Sequence, residues 1–131
     1  MNLTKGVVMY TGYFAMIKKY QQTEPDIIPV AITRFTPSWF KGPTYLPLAP
    51  STDLLKRYKD NKVTIDQYIK EYNSYLYTLD PITTLCDLSV YGNLDKVVLC
   101  CYEKSGDFCH RHLLSRWLSN LIHIEEFFKV S

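Results

Sequence analysis

The sequence predicts an α/β domain of three layers, in which a small, mainly parallel sheet is flanked by helices. Short apolar runs alternate along the chain with segments whose apolar residues recur at helical spacing. This order is typical of strand–helix–strand units and a parallel sheet. The length of 131 residues suits one domain, to which we assign residues 1–131. A composition of 47% hydrophobic and 21% charged residues favours a packed core over disorder.

The first three elements are read from short apolar patterns. Residues 7–10 predict a strand, residues 11–13 a turn, and Phe14, Ile17 and Tyr20 a helix with one apolar face. Residues 27–32 are apolar throughout, as expected of a strand covered on both faces.

The segment at residues 36–50 contains four prolines and several aromatic side chains. It is too apolar for a linker, so we expect a rigid loop lying over the domain. Loops of this length in compact domains are usually functional.

Capping signals place the next helices. Ser51 or Thr52 is suited to cap a helix that runs to about residue 58, and Thr64 with Gln67 forms a capping-box pattern. The second pattern opens an apolar stripe that reaches Leu76. Asp80 followed by proline predicts another helix start, and Gly92 a helix stop.

The last elements surround the most polar loop. Residues 96–102 predict a strand, residues 108–120 a helix capped by Asp107, and residues 121–124 a final short strand. Alternation along the penultimate strand places Cys100 and Cys101 on opposite faces of the sheet.

Charge and hydropathy argue against several function classes. A net charge of +2, with lysines spread along the chain, gives no support for nucleic-acid binding, which usually needs a basic stripe. No segment approaches the roughly 18 apolar residues of a membrane span, and no secretory signal is recognisable. We therefore expect a cytoplasmic protein with reduced cysteines. The sequence gives no indication of its oligomeric state.

Residues 99–111 contain most of the reactive side chains. Cys101 and Glu103 stand at the end of a predicted strand, and Cys109, His110 and Arg111 stand at the start of a predicted helix. Ligand sites favour the carboxyl edge of a parallel sheet, and the first turn of a helix favours anions by roughly 0.3–2 kcal/mol. A thiolate is stabilised in the same setting.

Four interpretations of this segment are open. The helix amides and Arg111 are suited to bind a phosphate or carboxylate, and Cys109 is suited to act as a nucleophile with His110 or Glu103 carrying protons. The group is also compatible with a purely structural role. A metal site is the weakest option, because the cysteine and histidine spacing is not that of the usual ligand motifs. Neither a Walker loop nor GxGxxG occurs, so the sequence does not identify a cofactor.

Further residues are expected near the same edge. Arg34 follows the second predicted strand, and Thr11 and Tyr13 follow the first. Trp39 or Tyr45, in the proline-rich loop, would offer an aromatic surface on which a ligand stacks.

The segment at residues 98–118 resembles the signature of the family known as domain of unknown function 488. Relatives have a strand ending in Leu-Cys-x-Glu-Lys, a loop, and Cys-His-Arg at the start of an apolar helix. Residues 10–13 and 32–37 resemble the family's first two strand ends, and residues 48–50 with the helix of Tyr68 and Tyr72 resemble a compact branch of it. Many relatives have an aspartate where this chain has Ile32. The resemblance implies site residues at Arg34, Cys101, Glu103, Cys109, His110 and Arg111.

These observations predict a protein that binds a small anionic ligand, a nucleotide or other phosphate compound, and that acts on it if the site is catalytic. Glu103, Cys109 and His110 are the candidate catalytic residues. The candidate ligand-binding residues are Thr11, Tyr13, Arg34, Trp39, Cys101 and Arg111. The alternative is a noncatalytic adaptor that uses the aromatic, proline-rich loop to bind a protein.

Overall fold

The computed structural model describes residues 6–102 and 109–127, which form a parallel sheet with helices on both faces. The predicted α/β class is therefore confirmed. In chain order the elements are β1 (Val8–Tyr13), α1 (Phe14–Tyr20), β2 (Ile28–Ala31), α2 (Thr52–Lys59), α3 (Ile65–Tyr77), α4 (Pro81–Ser89), β3 (Val97–Cys101), α5 (His110–Leu118) and β4 (His123–Glu126), with single 3-10 turns at Leu46–Leu48 and Leu94–Lys96.

The four strands of the described sheet lie in the order β2-β3-β1-β4, and every neighbouring pair is parallel. The first strand of the chain is therefore central, with Tyr10 paired to Val98 of β3 and Val8 paired to His123 of β4. Strand β2 lies at an edge, which explains how it accommodates Pro29, because an edge strand has one side free of ladder hydrogen bonds.

The two faces of the sheet have separate apolar clusters. Val98 and Cys100 pack with Phe14 and Ile17 of the first helix. The opposite face packs against the remaining helices and includes Leu99, Cys101, Tyr72, Leu76 and Leu114. Because successive strand residues point to opposite faces, the two adjacent cysteines belong to different layers, as the alternation predicted. The three-layer arrangement of helix, sheet and helix follows.

Local sequence signals place the helix starts correctly. The Ser51 hydroxyl accepts a hydrogen bond from the Leu54 amide at 3.0 Å. Thr64 and Gln67 form the reciprocal capping box, with bonds of 3.1 and 2.8 Å. Asp80 accepts from the first amides of α4. Each side chain satisfies amides that a helix start leaves without partners, so these boundaries could be predicted from short patterns.

Several boundaries differ from the predictions, three of them close to the carboxyl edge of β1 and β3 or to β4. Residues 11–13 are strand, not turn, because they pair with residues 99–101 of β3. Strand β4 starts at His123, since the amides of Leu121 and Ile122 still bond to the Leu118 carbonyl at the end of α5. Helix α5 starts at His110, with Cys109 in the N-cap position. The predicted cap Asp107 lies outside the described residues.

Among the described helices, none has the length and apolar character that crossing a membrane requires.

Candidate functional site

The carboxyl edge of the sheet gathers side chains from β1, β3 and α5. Strands β1 and β3 end side by side, with Tyr13 paired to Cys101. Helix α5 packs against β3 and starts near the same edge, where Cys109 precedes its first residue, His110. The structure thus brings together most of the residues that the sequence indicated, at the edge where it indicated them.

Cys101 and Cys109 are joined by a disulfide, and their Cα atoms are 7.6 Å apart. Both side chains are buried. The prediction of reduced cysteines is therefore wrong for this pair. The other two cysteines are free: Cys86 is exposed, and Cys100 is buried on the opposite face of the sheet, where burial raises the pKa of its thiol.

The His110 ring is held in one orientation by a backbone oxygen. Its Nε2 lies 2.8 Å from the Ile32 carbonyl, and since a carbonyl only accepts, Nε2 bears the hydrogen. Nδ1 then has its lone pair available, and it lies 3.7 Å from the Cys109 sulfur. Burial lowers the pKa of His110 to about 4, so the imidazole is neutral near pH 7.

Arg111 is fully buried and is neutralised from β4. Its Nε and Nη2 donate to the two carboxylate oxygens of Glu126 at 3.1 and 2.8 Å, and its Nη1 donates to the Cys101 sulfur at 2.8 Å. Planar two-point pairing of this kind is the strong form of an ion pair. Arg111 is thus paired within the protein, and its predicted role in holding an external anion stays a prediction.

The two predicted residues of β1 complete this arrangement. Thr11 donates its hydroxyl hydrogen to a Glu126 oxygen at 2.8 Å, and the Tyr13 ring lies 5.9 Å from the Arg111 guanidinium carbon. Glu126 was missed by sequence reasoning. The available signal was the need of a buried arginine for a carboxylate partner, and Glu126 is the residue that β4 pairs with Thr11.

The predicted aromatic surface is not at this cluster. Trp39 lies on the α1 face of the sheet, where its ring contacts Phe14 and Phe40 and lies 5.1 Å from the Lys18 ammonium. Tyr45 is buried, and its hydroxyl donates to Asp87 at 2.7 Å. Glu103, the third candidate catalytic residue, lies outside the described residues.

Arg34 lies in a neighbouring cleft instead. Its Nε donates to the Pro50 carbonyl at 2.9 Å, which fixes the side chain against the end of the proline-rich loop. The cleft has a volume of about 440 Å³, and its other walls come from α2 and α3. Its charged lining residues are Arg34, Arg57, Lys70 and Glu71.

Tyr72 links the cleft to the buried cluster. Its side chain lines the cleft, and its ring meets the His110 ring edge-on with centroids 5.5 Å apart. Its hydroxyl donates to the Leu48 carbonyl at 2.6 Å, and burial raises the pKa of this phenol. Tyr72 therefore lies between the cleft and the buried cluster.

Cys101, Cys109 and His110 are also the described residues whose possible metal-ligand atoms converge, all within 4.8 Å of one another. The sequence argued against a metal site because the spacing matches no common motif. The structure brings the donors together through a strand end and a helix start, a proximity that linear spacing does not reveal.

The fold and the site define a small parallel α/β domain whose cysteine, histidine and arginine side chains meet at the carboxyl edge of the sheet. The chain belongs to the DUF488 family: the family model described as the active DUF488-N3 subclade matches residues 18–121. This match confirms the resemblance seen in the sequence. The matched residues do not include strands β1 and β4, so Thr11, Tyr13 and Glu126 lie outside the family match. Comparisons with curated proteins and with solved structures give no significant match.

Proposed function

We propose that this protein binds a small anionic ligand, a nucleotide or a related phosphate compound, in the cleft between the proline-rich loop and helices α2 and α3. The observation that carries the proposal is the charge of the cleft. Three cationic side chains and one carboxylate surround a volume of about 440 Å³, which is within the range of small-molecule sites.

The cations of the cleft differ in how far they are neutralised. Arg57 donates to both Asp53 and Glu71, so its charge is balanced within the protein. Within the described part of the chain, Arg34 and Lys70 have no carboxylate at ion-pair distance. These two charges make the cleft attractive to phosphate, and Tyr75 adds an aromatic wall beside them.

Chemical transformation of the ligand stays a prediction, with Glu103, Cys109 and His110 as its candidate residues. The imidazole of His110 is neutral and lies next to the Cys109 sulfur. Once the disulfide is reduced, the pair therefore has the arrangement of a thiol and its general base. Access from the cleft to this pair would require movement of Tyr72.

The test is a thermal-shift panel of nucleotides, sugar phosphates and inorganic phosphate on the wild type and on Lys70→Gln and Arg34→Gln. A compound present at 100 times its Kd adds roughly 2.7 kcal/mol of stability, which raises the midpoint measurably. We expect at least one compound to raise the midpoint of the wild type. The Kd derived from that shift should be at least fivefold higher in either variant. The matched control is Lys96→Gln, whose charge lies in a surface pair with Asp26.

Two results would overturn the proposal. One is a panel without any shift for a folded wild type. The other is an equal loss in the Lys96→Gln control, which would show that only overall charge matters.

A second candidate function is a protein-interaction adaptor. Phe35 is 71% exposed beside Arg34, and Leu46 is 47% exposed in the same loop, whereas Trp39 and Tyr45 pack inward. A purified partner that binds the wild type and Lys70→Gln equally but is lost with Phe35→Ser would favour this function. Binding that instead depends on Lys70 would count against it.

We also propose a cytoplasmic location, in which the exposed thiol of Cys86 would stay reduced and the Cys101–Cys109 disulfide would be open to reduction. Fractionation of cells expressing the protein is the direct measurement.

A further inference from the structure

We propose that the reduced form of this protein binds one zinc ion through the sulfurs of Cys101 and Cys109 and the Nδ1 nitrogen of His110. This site is separate from the anion-binding cleft, and the proposal does not depend on a ligand in that cleft. Because it uses Cys109 and His110, these residues would not act as nucleophile and base while zinc is bound.

The spacing between the Cys109 sulfur and the His110 nitrogen fits zinc. Zinc–sulfur and zinc–nitrogen bonds of roughly 2.3 and 2.0–2.1 Å at a tetrahedral angle place a sulfur and a nitrogen about 3.6 Å apart. The Cys109 sulfur lies 3.7 Å from His110 Nδ1, and all three donor atoms lie within 4.8 Å of one another.

His110 has the orientation of a metal ligand. A ligating histidine usually donates its second ring hydrogen to a carbonyl or carboxylate, which fixes the ring and its tautomer. His110 Nε2 makes such a bond to the Ile32 carbonyl at 2.8 Å, so the Nδ1 lone pair is on the side of the sulfurs.

The backbone leaves room for two sulfurs around an ion. The Cα atoms of Cys101 and Cys109 are 7.6 Å apart, beyond the roughly 4.4–6.8 Å that is usual for disulfides. Reduction by a dithiol such as dithiothreitol transfers two electrons and two protons to the disulfide and leaves the reductant as its own cyclic disulfide. Zinc then replaces the two thiol protons, which are released to solvent.

The charges balance in the zinc-bound form. One Zn²⁺ with two thiolates and one imidazole, which binds metal in its uncharged form, has no net charge. The neighbouring Arg111 is neutralised by Glu126. The Arg111 hydrogen bond to the Cys101 sulfur stabilises the thiolate without adding an unpaired charge. Balance matters here because all three proposed ligands are buried, and burial of an unpaired ion is costly.

The described residues supply three donors. Closed structural zinc sites use four protein ligands, whereas three are typical of sites that retain an exchangeable position. The described residues thus account for three of the four ligands of a tetrahedral zinc ion.

The test measures metal in the protein purified under reducing conditions without chelator. We expect about one equivalent of zinc by mass spectrometry, and Co²⁺ in its place should give a thiolate-to-metal charge-transfer band. His110→Gln should lower zinc affinity at least tenfold in competition with a chromophoric chelator. The matched control Cys86→Ser, which removes an exposed thiol elsewhere, should bind as the wild type does.

A redox comparison on the wild type needs no substitution, so it holds even if a variant fails to fold. Protein oxidised with diamide should bind no zinc and should recover about one equivalent after reduction. The proposal is overturned if the folded, fully reduced wild type binds less than about a tenth of an equivalent. Equal zinc binding by the oxidised and reduced forms would also overturn it.

Discussion

The buried cluster around Arg111 and the exposed cleft around Arg34 both contain cationic side chains, but of these two arginines only Arg111 is paired with a carboxylate in the described structure. In the cluster, the guanidinium is inaccessible to solvent and its hydrogens are directed to Glu126 and Cys101. In the cleft, Arg34 and Lys70 lack carboxylate partners among the described residues. The comparison teaches that the densest polar motif of a sequence can be satisfied from within, while cations scattered along the chain form the open surface.

The largest expected effect tests whether the cluster is closed. Replacing Arg111 with Met leaves Glu126 partly buried without its counterion, and breaking such a pair typically costs about 3–5 kcal/mol. Urea unfolding of the wild type and the variant measures this difference. Lys96→Met, which breaks a surface pair with Asp26, should leave the midpoint almost unchanged. Equal effects of the two substitutions would contradict the comparison.

The second expected effect is a pH dependence of the free energy of unfolding, measured on the disulfide-bonded protein. The pKa of His110 is about 4 in the folded protein and near 6.5 when unfolded, so between these values the unfolded chain binds the extra proton. The contribution of His110 to the free energy of unfolding is fully present above about pH 6.5. It is lost as the pH drops towards 4, by on the order of 3 kcal/mol. Unfolding curves across this range measure it.

His110→Gln provides the control for that pH dependence, because it retains a donor for the Ile32 carbonyl but has no titrating group. Its stability should vary less between pH 6.5 and 4 than that of the wild type. An unchanged slope would show that another group is responsible.

The smallest expected effect on stability is at the cleft. Lys70→Gln removes a charge that has no carboxylate at ion-pair distance in the described structure, so the urea midpoint should stay at the wild-type value. Phosphate-compound affinity should fall in the same variant. A clear loss of stability would show that Lys70 has a structural role. The cleft would then resemble the buried cluster, in which the cation contributes to folding.

Much of the fold could be predicted because its signals are local. The capping residues Ser51, Thr64 and Asp80 each bond to amides within three positions, so a short window of sequence contains the whole interaction. The ends of the strands were harder to predict from the sequence. The extension of β1 to Tyr13 depends on pairing with Cys101, a partner distant in the chain.

The site was predicted in place more than in arrangement. Sequence patterns brought Cys101, Cys109 and His110 to one edge of the sheet, because strand and helix ends are readable. They did not reveal that Arg111 would pair with Glu126, since that contact depends on where β4 joins the sheet. They also left out Lys70, whose place in the cleft depends on how α3 packs.

The central position of β1 has a consequence for synthesis. Tyr10 is made long before its partner Val98, and Val8 longer still before His123. As the chain leaves the ribosome, its first strand therefore has no sheet to join until β3 emerges, and Thr11 meets Glu126 only at the end. Throughout that interval both long edges of β1 are exposed to mispairing.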